Sequence, residues 1–495
     1  MFKTLANAWK IADLRQKLLF TILIILLYRI GAAIPVPFVS AITIESGTTF
    51  EFLNTLSGGA FEQASLFALG VSPYITASIV IQLLTVAIPA LERLSKEGEE
   101  GKKKITQITR YITIAIAVVT ALGYYFLLSY NGALGEFASV ADTDSGWNKV
   151  FKWLLAIIIV ACYCAGSSIT MWLAERINDK GIGNGISVIL FANIVSRALP
   201  LLTRFVNMFQ TEIGELGIPS TGLGQTVNPD GTIKPLPGVE IAPNAFPFGS
   251  IIFTVFVLVG LLAMMWFIIF ISDSERRIPV QYAKRVVGRK MYGGQNSNIP
   301  LKLNMAGVMP IIFANAIITI PAMISQFIPT TKVDDVTGDT IARHPWYQIV
   351  KVFSSGHWFY CLLTFVLILA FAYFYVAISF NPTEVAGNIQ KNGGAIPGIR
   401  PGKATSTFIQ KVLSKITFIG ALALSVISVV PLLIHVALTI LRNNFDVNIA
   451  FWAFSYLGEL ATIGTSIIIV VGVVLEIVRE MEAQMTMRHY KGFLG

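Results

Sequence analysis

The stretch Phe52 to Ile88, FLNTLSGGAFEQASLFALGVSPYITASIVIQLLTVAI, decides the fold. Its second half, from Val71, is an apolar run of membrane-spanning length, whereas its first half carries Asn54, Ser57, Gly58, Gly59, Glu62, Gln63 and Ser65. Backbone that is not a full span survives at membrane depth only when buried in protein or lining a watery cavity. A half-polar segment leading into a span therefore reads as a re-entrant helix. An exterior surface loop is the alternative, and composition alone leaves the two level.

The opening of that span returns late in the chain. Gly70-Val71-Ser72-Pro73-Tyr74-Ile75-Thr76-Ala77 matches Gly307-Val308-Met309-Pro310-Ile311-Ile312-Phe313-Ala314 at Gly, Val, Pro, Ile and Ala. The motif is short, but it falls once in each half, which favours the re-entrant reading and an internal repeat.

Outward from these stretches the chain is apolar throughout. Hydrophobic residues make up 54% and charged residues 13%, which excludes an ordinary soluble domain and implies a polytopic helical membrane protein. Ten segments reach spanning length: 18–34, 71–89, 108–130, 150–173, 183–202, 249–272, 306–328, 357–380, 412–441 and 457–478. The fifth is diluted by Asn184, Asn193, Ser196 and Arg197, and a buried helix short of a full span is its alternative. No cleavage site follows the basic N-terminus, so the first span reads as uncleaved. With the N-terminus inside, the alternating inside segments hold 27 of the 37 lysines and arginines, and none lies between Arg29 and Arg93. Both termini are then expected in the cytoplasm. In that topology span two runs inward and span seven outward, so the halves are inverted and a pathway is expected at their interface.

Cys162, Cys164 and Cys361 lie in apolar runs and read as buried hydrophobes. The four histidines are scattered without metal-ligand spacing, so no metal, no cofactor and no catalysis is expected. Gly181-Ile182-Gly183-Asn184-Gly185 lacks the ending of a phosphate loop, and Asn184 reads as the cap of span five. Arg29 reads as a snorkelling side chain. The proline-rich loop from Thr203 to Phe248 reads as irregular surface structure.

Two basic inside loops stand apart. The first holds Arg276, Arg277, Lys284, Arg285, Arg289 and Lys290, and Val280–Tyr282 could pair with Ile299–Leu303 as a hairpin. In the second, Asn381-Pro382-Thr383-Glu384 signals a helix start, and Arg400 sits between Pro397-Gly398 and Pro401-Gly402, a stiff mount. Topology charge and attraction to anionic lipid account for most of these residues, and an RNA-rich or acidic partner would also suit them. A secondary transporter is the rival reading of an inverted repeat. Carriers usually keep an ionisable group near the midplane, and the interiors of spans two, five, seven and ten have none.

The chain resembles the SecY/Sec61-alpha family of Sec translocon channel subunits over nearly its whole length. The matching stretches are Phe67 to Ile79, Lys96-Glu97-Gly98, Gly181 to Ser187, Tyr282 to Arg285, Leu301 to Pro310, Asn381-Pro382 and Pro397 to Gly402. The resemblance implies an all-α polytopic membrane protein of ten transmembrane helices in two inverted five-helix halves, with a re-entrant plug and a small cytoplasmic β-hairpin. Its expected divisions are an N-tail at 1–17, an N-terminal half at 18–202 with the plug near 52–68, an exterior loop at 203–248, a C-terminal half at 249–478 with cytoplasmic loops 273–305 and 381–416, and a C-tail at 479–495. Function is implied too: passage of unfolded secretory polypeptides across the membrane and lateral release of hydrophobic segments into it. The pore ring maps onto Val71, Ile75, Ile186, Leu190, Ile312 and Ile469, the plug onto Phe52, Leu56, Gly58, Gly59, Phe61 and Leu66. Thr76, Gln82, Asn184 and Asn315 fall along the implied lateral gate between spans two and seven, where Gln82, Asn184 and Asn315 could make weak interhelical hydrogen bonds, the alternative being side chains satisfied within one half. Arg276, Arg277, Lys284, Arg285, Arg289 and Arg400 would dock partners. Those implied are SecE and SecG, the motor ATPase SecA, ribosomes, preproteins with signal sequences, and membrane lipids.

Overall fold

The repeated Gly-Val-x-Pro opens two helices on one backbone design. Gly70 and Gly307 are left-handed, with φ of +53° and +65°. Val71 and Val308 follow at φ −91° with ψ of −4° and −11°, and Pro73 and Pro310 sit in the first turn. Proline suits that position because the first amides of a helix have no intrahelical acceptor.

The computed structural model describes residues 9–42, 49–134, 146–197, 226–227, 233–234, 248–282, 285–287, 290–292, 296–327, 331–333, 340–342, 352–353, 357–445 and 451–491. Helices lie at all ten expected spans. The first half comprises α1 (Ala12–Ala33), the re-entrant α2 (Thr49–Ser57), α3 (Ser72–Ala87) with its bent extension α4 (Pro89–Lys96), α5 (Glu99–Tyr130), α6 (Gly146–Lys180) and α7 (Gly185–Arg197). The second half comprises α8 (Phe248–Asp273), α9 (Met309–Ile318), α10 (Ile320–Ser325), α11 (Trp358–Ser379), α12 (Pro382–Lys391), α13 (Lys403–Phe445) and α14 (Phe451–Lys491). Among the described residues five helices, α1, α5, α6, α11 and α13, are long and apolar enough to cross a bilayer alone, and α3 with α4 makes a sixth, bent by 102°. The helix α7 is among the shorter apolar helices, matching the alternative that the diluted fifth segment left open, a buried helix short of a full span. Span seven is not one helix: Pro321, which lacks an amide hydrogen, follows a break at Thr319.

Helices pack mainly within their own half. α3 packs on α5, α5 on α6 and α1 on α6, while α9 packs on α11, α11 on α13, and α13 and α8 on α14. Across the halves α3 meets α9 and α5 meets α10, and at the basic end Leu14, Ile182 and Met481 form a small shared core. Both helix-start signals are realised. The Asn381 side chain accepts from the Thr383 amide at 3.2 Å, and the Asn184 side chain accepts from the Ile186 amide at 3.1 Å.

The hairpin in the first basic loop forms, but with longer strands and another register. Glu275–Tyr282 pairs antiparallel with Asn296–Lys302, setting Ile278 opposite Ile299 and Val280 opposite Ser297. Asn296-Ser297-Asn298, which the sequence places between the two strands, is itself strand, because Gln281, Val280 and Pro279 of the facing strand pair with it. Gly394–Ala395 adds a third strand against Gln281 and Tyr282, tying the two basic loops into one sheet. The exterior loop 203–248 lies outside the described residues, apart from the small ladder of Thr226–Val227 with Ile233–Lys234 and Phe248 in α8.

The re-entrant segment is buried, which settles the choice between a surface loop and a membrane-depth helix. Phe52, Leu53, Leu56, Ala60, Phe61, Ala64, Phe67 and Ala68 are all buried. It passes so close to α6 that a Cβ on Gly166 would lie 1.9 Å from the Leu66 carbonyl oxygen. Gly166→Val should therefore force α6 away and cost about 1–3 kcal/mol through overpacking. A lowered midpoint of thermal unfolding in detergent is the expected result.

Candidate functional site

Phe52 and Leu53 lie four and three residues before Leu56 on α2, so both neighbour it on the same side of the helix. That face meets Ile75 of α3, Ile312 of α9 and Ile469 of α14 around a cavity of about 10 Å³. A water needs roughly 10–15 Å³ and two or more polar partners, so the gap is dry. Thr76 and Thr319 also line it, but their hydroxyls donate to the carbonyls of Ser72 at 3.0 Å and Ala316 at 2.9 Å, within or at the end of their own helices. Val71, Ile75, Leu190, Ile312 and Ile469 are buried in one hydrophobic cluster with Phe52 and Leu56, and half-buried Ile186 packs against it. Residues from both halves thus converge on one apolar knot.

On its other side the segment adds hydrogen bonds to apolar packing. Gly58 and Gly59, both left-handed at φ +70° and +91°, end α2. Beyond them the chain runs as turns, and several of its backbone groups pair with the stretch that follows α1. The Leu66 amide donates to the Ile34 carbonyl at 2.8 Å, the Val36 amide to Ala64 at 3.2 Å and the Ile42 amide to Glu62 at 2.9 Å. Side chains of the first half supply further donors. Tyr124 of α5 donates to the Phe61 carbonyl, Tyr163 of α6 to Ala64 at 3.3 Å, Thr170 of α6 to Gly70 at 2.9 Å, and Asn193 of α7 to Leu56 at 2.6 Å. Phe61 also packs on the Tyr124 ring, with centroids 4.5 Å apart, while Leu66 is half-buried. None of these wall residues was singled out as functional from sequence. Their signal was present as buried polar groups in spans that face irregular backbone.

Arg29 is not a free snorkelling side chain. Its Nη1 donates to the Asn193 Oδ1 at 3.4 Å, beside the end of α2. The polar residues of the α3/α9 seam do not form a clasp across it either. Gln82 donates to Ser78 one turn back in its own helix at 3.3 Å, and Asn184 caps α7. The buried Asn315 Nδ2 has no protein partner among the described residues. The seam is joined by apolar contact.

On the basic face Arg276 is exposed, and Arg277 is engaged by Glu275 at 2.7 Å. Arg285 is on a short strand, and Lys284 and Arg289 lie outside the described residues. Partial burial, with Arg479 nearby, holds Lys302 below the ordinary lysine range against the pull of Glu275 and Asp273. Arg400 is exposed on a braced loop. Gly398 and Gly402 are left-handed, and the Thr405 hydroxyl donates to the Arg400 carbonyl at 2.9 Å. Among the described residues no acidic group pairs with it. No cluster of three or more His, Cys, Asp or Glu among the described residues could hold a metal ion.

The family model described as SecY matches residues 65–478. The protein translocase subunit SecY of Streptomyces coelicolor is 40% identical over the full length of both chains. The chain belongs to the SecY family. Two solved structures share the family's architecture at low identity. One, described as the structure of a protein conducting channel, aligns with a TM-score of 0.57 at 19% identity, covering 95% of this chain and 92% of the other. The second, described as showing that the plug domain of the SecY protein stabilises the closed state of the translocation channel and maintains a membrane seal, aligns at 0.55 and 17% identity, with the same coverage. At such identity the likeness speaks for the fold, and there it agrees with the α2 segment lodged between two halves.

Apolar knots block ions because water will not fill them. Replacing Ile75 and Ile312 together by Asn should supply partners for water at that point. Raised resting conductance in planar bilayers is expected, and unchanged conductance would remove these residues from the barrier.

Proposed function

We propose that this chain is the channel subunit of a protein translocase in the cytoplasmic membrane, passing unfolded secretory polypeptides across it and releasing hydrophobic segments sideways into lipid. The observation that carries the reading is the re-entrant helix whose apolar face stops a dry gap between Ile75, Ile312 and Ile469. A solute carrier has no use for an obstruction of that size at its midpoint.

In this reading Val71, Ile75, Ile186, Leu190, Ile312 and Ile469 form a gasket. Aliphatic side chains have no fixed directional bonds to satisfy, so they yield to any passing sequence and close behind it. The segment 52–68, with Phe52, Leu56, Gly58, Gly59, Phe61 and Leu66, is the plug. The seam between α3 and α9 is the lateral gate, flanked by Thr76, Gln82, Asn184 and Asn315. Apolar contact supports that role, since a hydrophobic signal segment replaces it with contacts of the same kind. Both termini are cytoplasmic, and the domain divisions follow the ten spans as set out from the sequence.

Family membership suggests SecE and SecG as accompanying subunits, with SecA or a translating ribosome delivering preproteins to the basic face. Anionic lipid headgroups would neutralise the remaining charge. Arg276, Arg277, Lys284, Arg285, Arg289 and Arg400 are the docking candidates. Arg400 is the strongest, being stiffly presented and without an acidic partner among the described residues.

Two experiments test the reading. A stalled secretory chain should crosslink to cysteines placed at Ile75 and Ile312 in a cysteine-free background, and absence of both crosslinks would remove the polypeptide channel. For docking, a guanidinium offers a planar fork to carboxylate or phosphate that an ammonium lacks. In vesicles with SecA, ATP and a preprotein, Arg400→Lys should slow export several-fold, and Arg400→Glu should nearly abolish it. A topology charge alone predicts that lysine serves equally.

A further inference from the structure

The end of α2 poses a specific problem. The last carbonyls of a helix have no intrahelical donor and, when buried, need one from elsewhere. The Asn54 carbonyl accepts from the Gly59 amide at 2.9 Å, and that of Thr55 from Gly58 at 3.1 Å, both from the chain's own turn. The Leu56 carbonyl is served from outside, by Asn193 Nδ2 at 2.6 Å. Asn193 is fully buried, and its amide nitrogen also donates to the Tyr28 hydroxyl at 3.0 Å, while its Oδ1 accepts from Arg29. All the hydrogen-bonding capacity this amide needs in a dry site is therefore met with α2 in place, and part of it is lost when α2 leaves.

Arg29 adds charge to the same spot. A Cβ on Gly58 would lie 2.5 Å from Arg29 Nη1 and 3.0 Å from Asn193 Oδ1, so the guanidinium rests on the first residue past the helix. The carbonyl end of a helix carries partial negative charge, which a cation there stabilises. Glycine at 58 is what lets the wall approach this closely.

We propose that Asn193, Tyr28 and Arg29 form a latch that caps the re-entrant helix from the channel wall and sets how firmly the resting channel is plugged. The proposal rests on the channel reading and names the residues that hold its obstruction in place. Asn193 and Tyr28 are positioning residues, acting on permeation only through α2.

Asn193→Leu keeps the volume and removes the amide. In planar bilayers its resting ion leak should rise roughly tenfold, the size expected when a buried carbonyl loses its donor. Tyr28→Phe should raise it less, and the double variant should leak no more than Asn193→Leu alone, because one amide serves both partners. A local readout separates latching from general loosening: in a cysteine-free background, maleimide labelling of Thr55→Cys on α2 should speed up in the Asn193→Leu protein, and labelling of Ser168→Cys on α6 should not. Equal acceleration at both positions, or a leak no greater than that of the unmodified chain, overturns the latch. If the unmodified chain conducts no ions even when opened by a stalled preprotein, the channel reading itself fails; if it conducts then and Asn193→Leu stays tight at rest, only the latch does.

Discussion

Every backbone carbonyl and amide held at membrane depth must find a partner, and the described residues 34–42 and 49–70 are where this chain meets that demand without a continuous helix. A spanning helix satisfies itself. The turns after α2 cannot, so the wall is built around them: Tyr124, Tyr163 and Thr170 reach their carbonyls, Asn193 reaches the last turn of α2, and the stretch after α1 gives the amides of Val36 and Ile42 to Ala64 and Glu62 while accepting from the Leu66 amide at Ile34. Buried polar side chains, costly in such surroundings when unpaired, are therefore complements of one irregular strip of backbone.

The donors belong to the first half. Toward the second half α2 offers Phe52, Leu53 and Leu56, and meets Ile312 and Ile469 there. The obstruction is thus in apolar contact with both halves, since Phe52 and Leu56 also meet Ile75 and Phe61 packs on Tyr124, but the hydrogen bonds that hold it come from the first half. A parting of the halves at the α3/α9 seam leaves the segment with its hydrogen-bonded partner, and withdrawal of the segment is a separate event with its own resistance.

What could be read from sequence follows how far each interaction reaches along the chain. Gly-Val-x-Pro is local backbone chemistry, and both copies adopt nearly the same dihedral angles. Asn184 and Asn381 cap helices two residues ahead, again a local matter. Hydropathy located the helices because bilayer thickness sets their length, but Pro321 divides the seventh. Long-range pairing was poorly legible. The strand Gly394–Ala395 joins a sheet more than a hundred residues upstream, and two residues carry no pattern that announces it. For Gln82 the sequence left a bond across the seam and one within its own half both open, and it bonds one turn back, since a side chain on a helix finds its own neighbours first. Arg29 and Asn193 were visible as polar residues in apolar runs. Their meaning depended on which irregular backbone lay opposite, and only the fold supplies that.

The two faces of α2 also respond differently to temperature. Apolar contact forms with a negative heat-capacity change and loses strength on cooling, because the hydration it avoids becomes less unfavourable in the cold. Direct hydrogen bonds to a tyrosine, a threonine or an asparagine have no comparable decline. Cooling therefore weakens the apolar contacts on both sides, but the first half keeps its hydrogen bonds to the segment, and the side of the obstruction that gives way first at low temperature is the one facing α9 and α14.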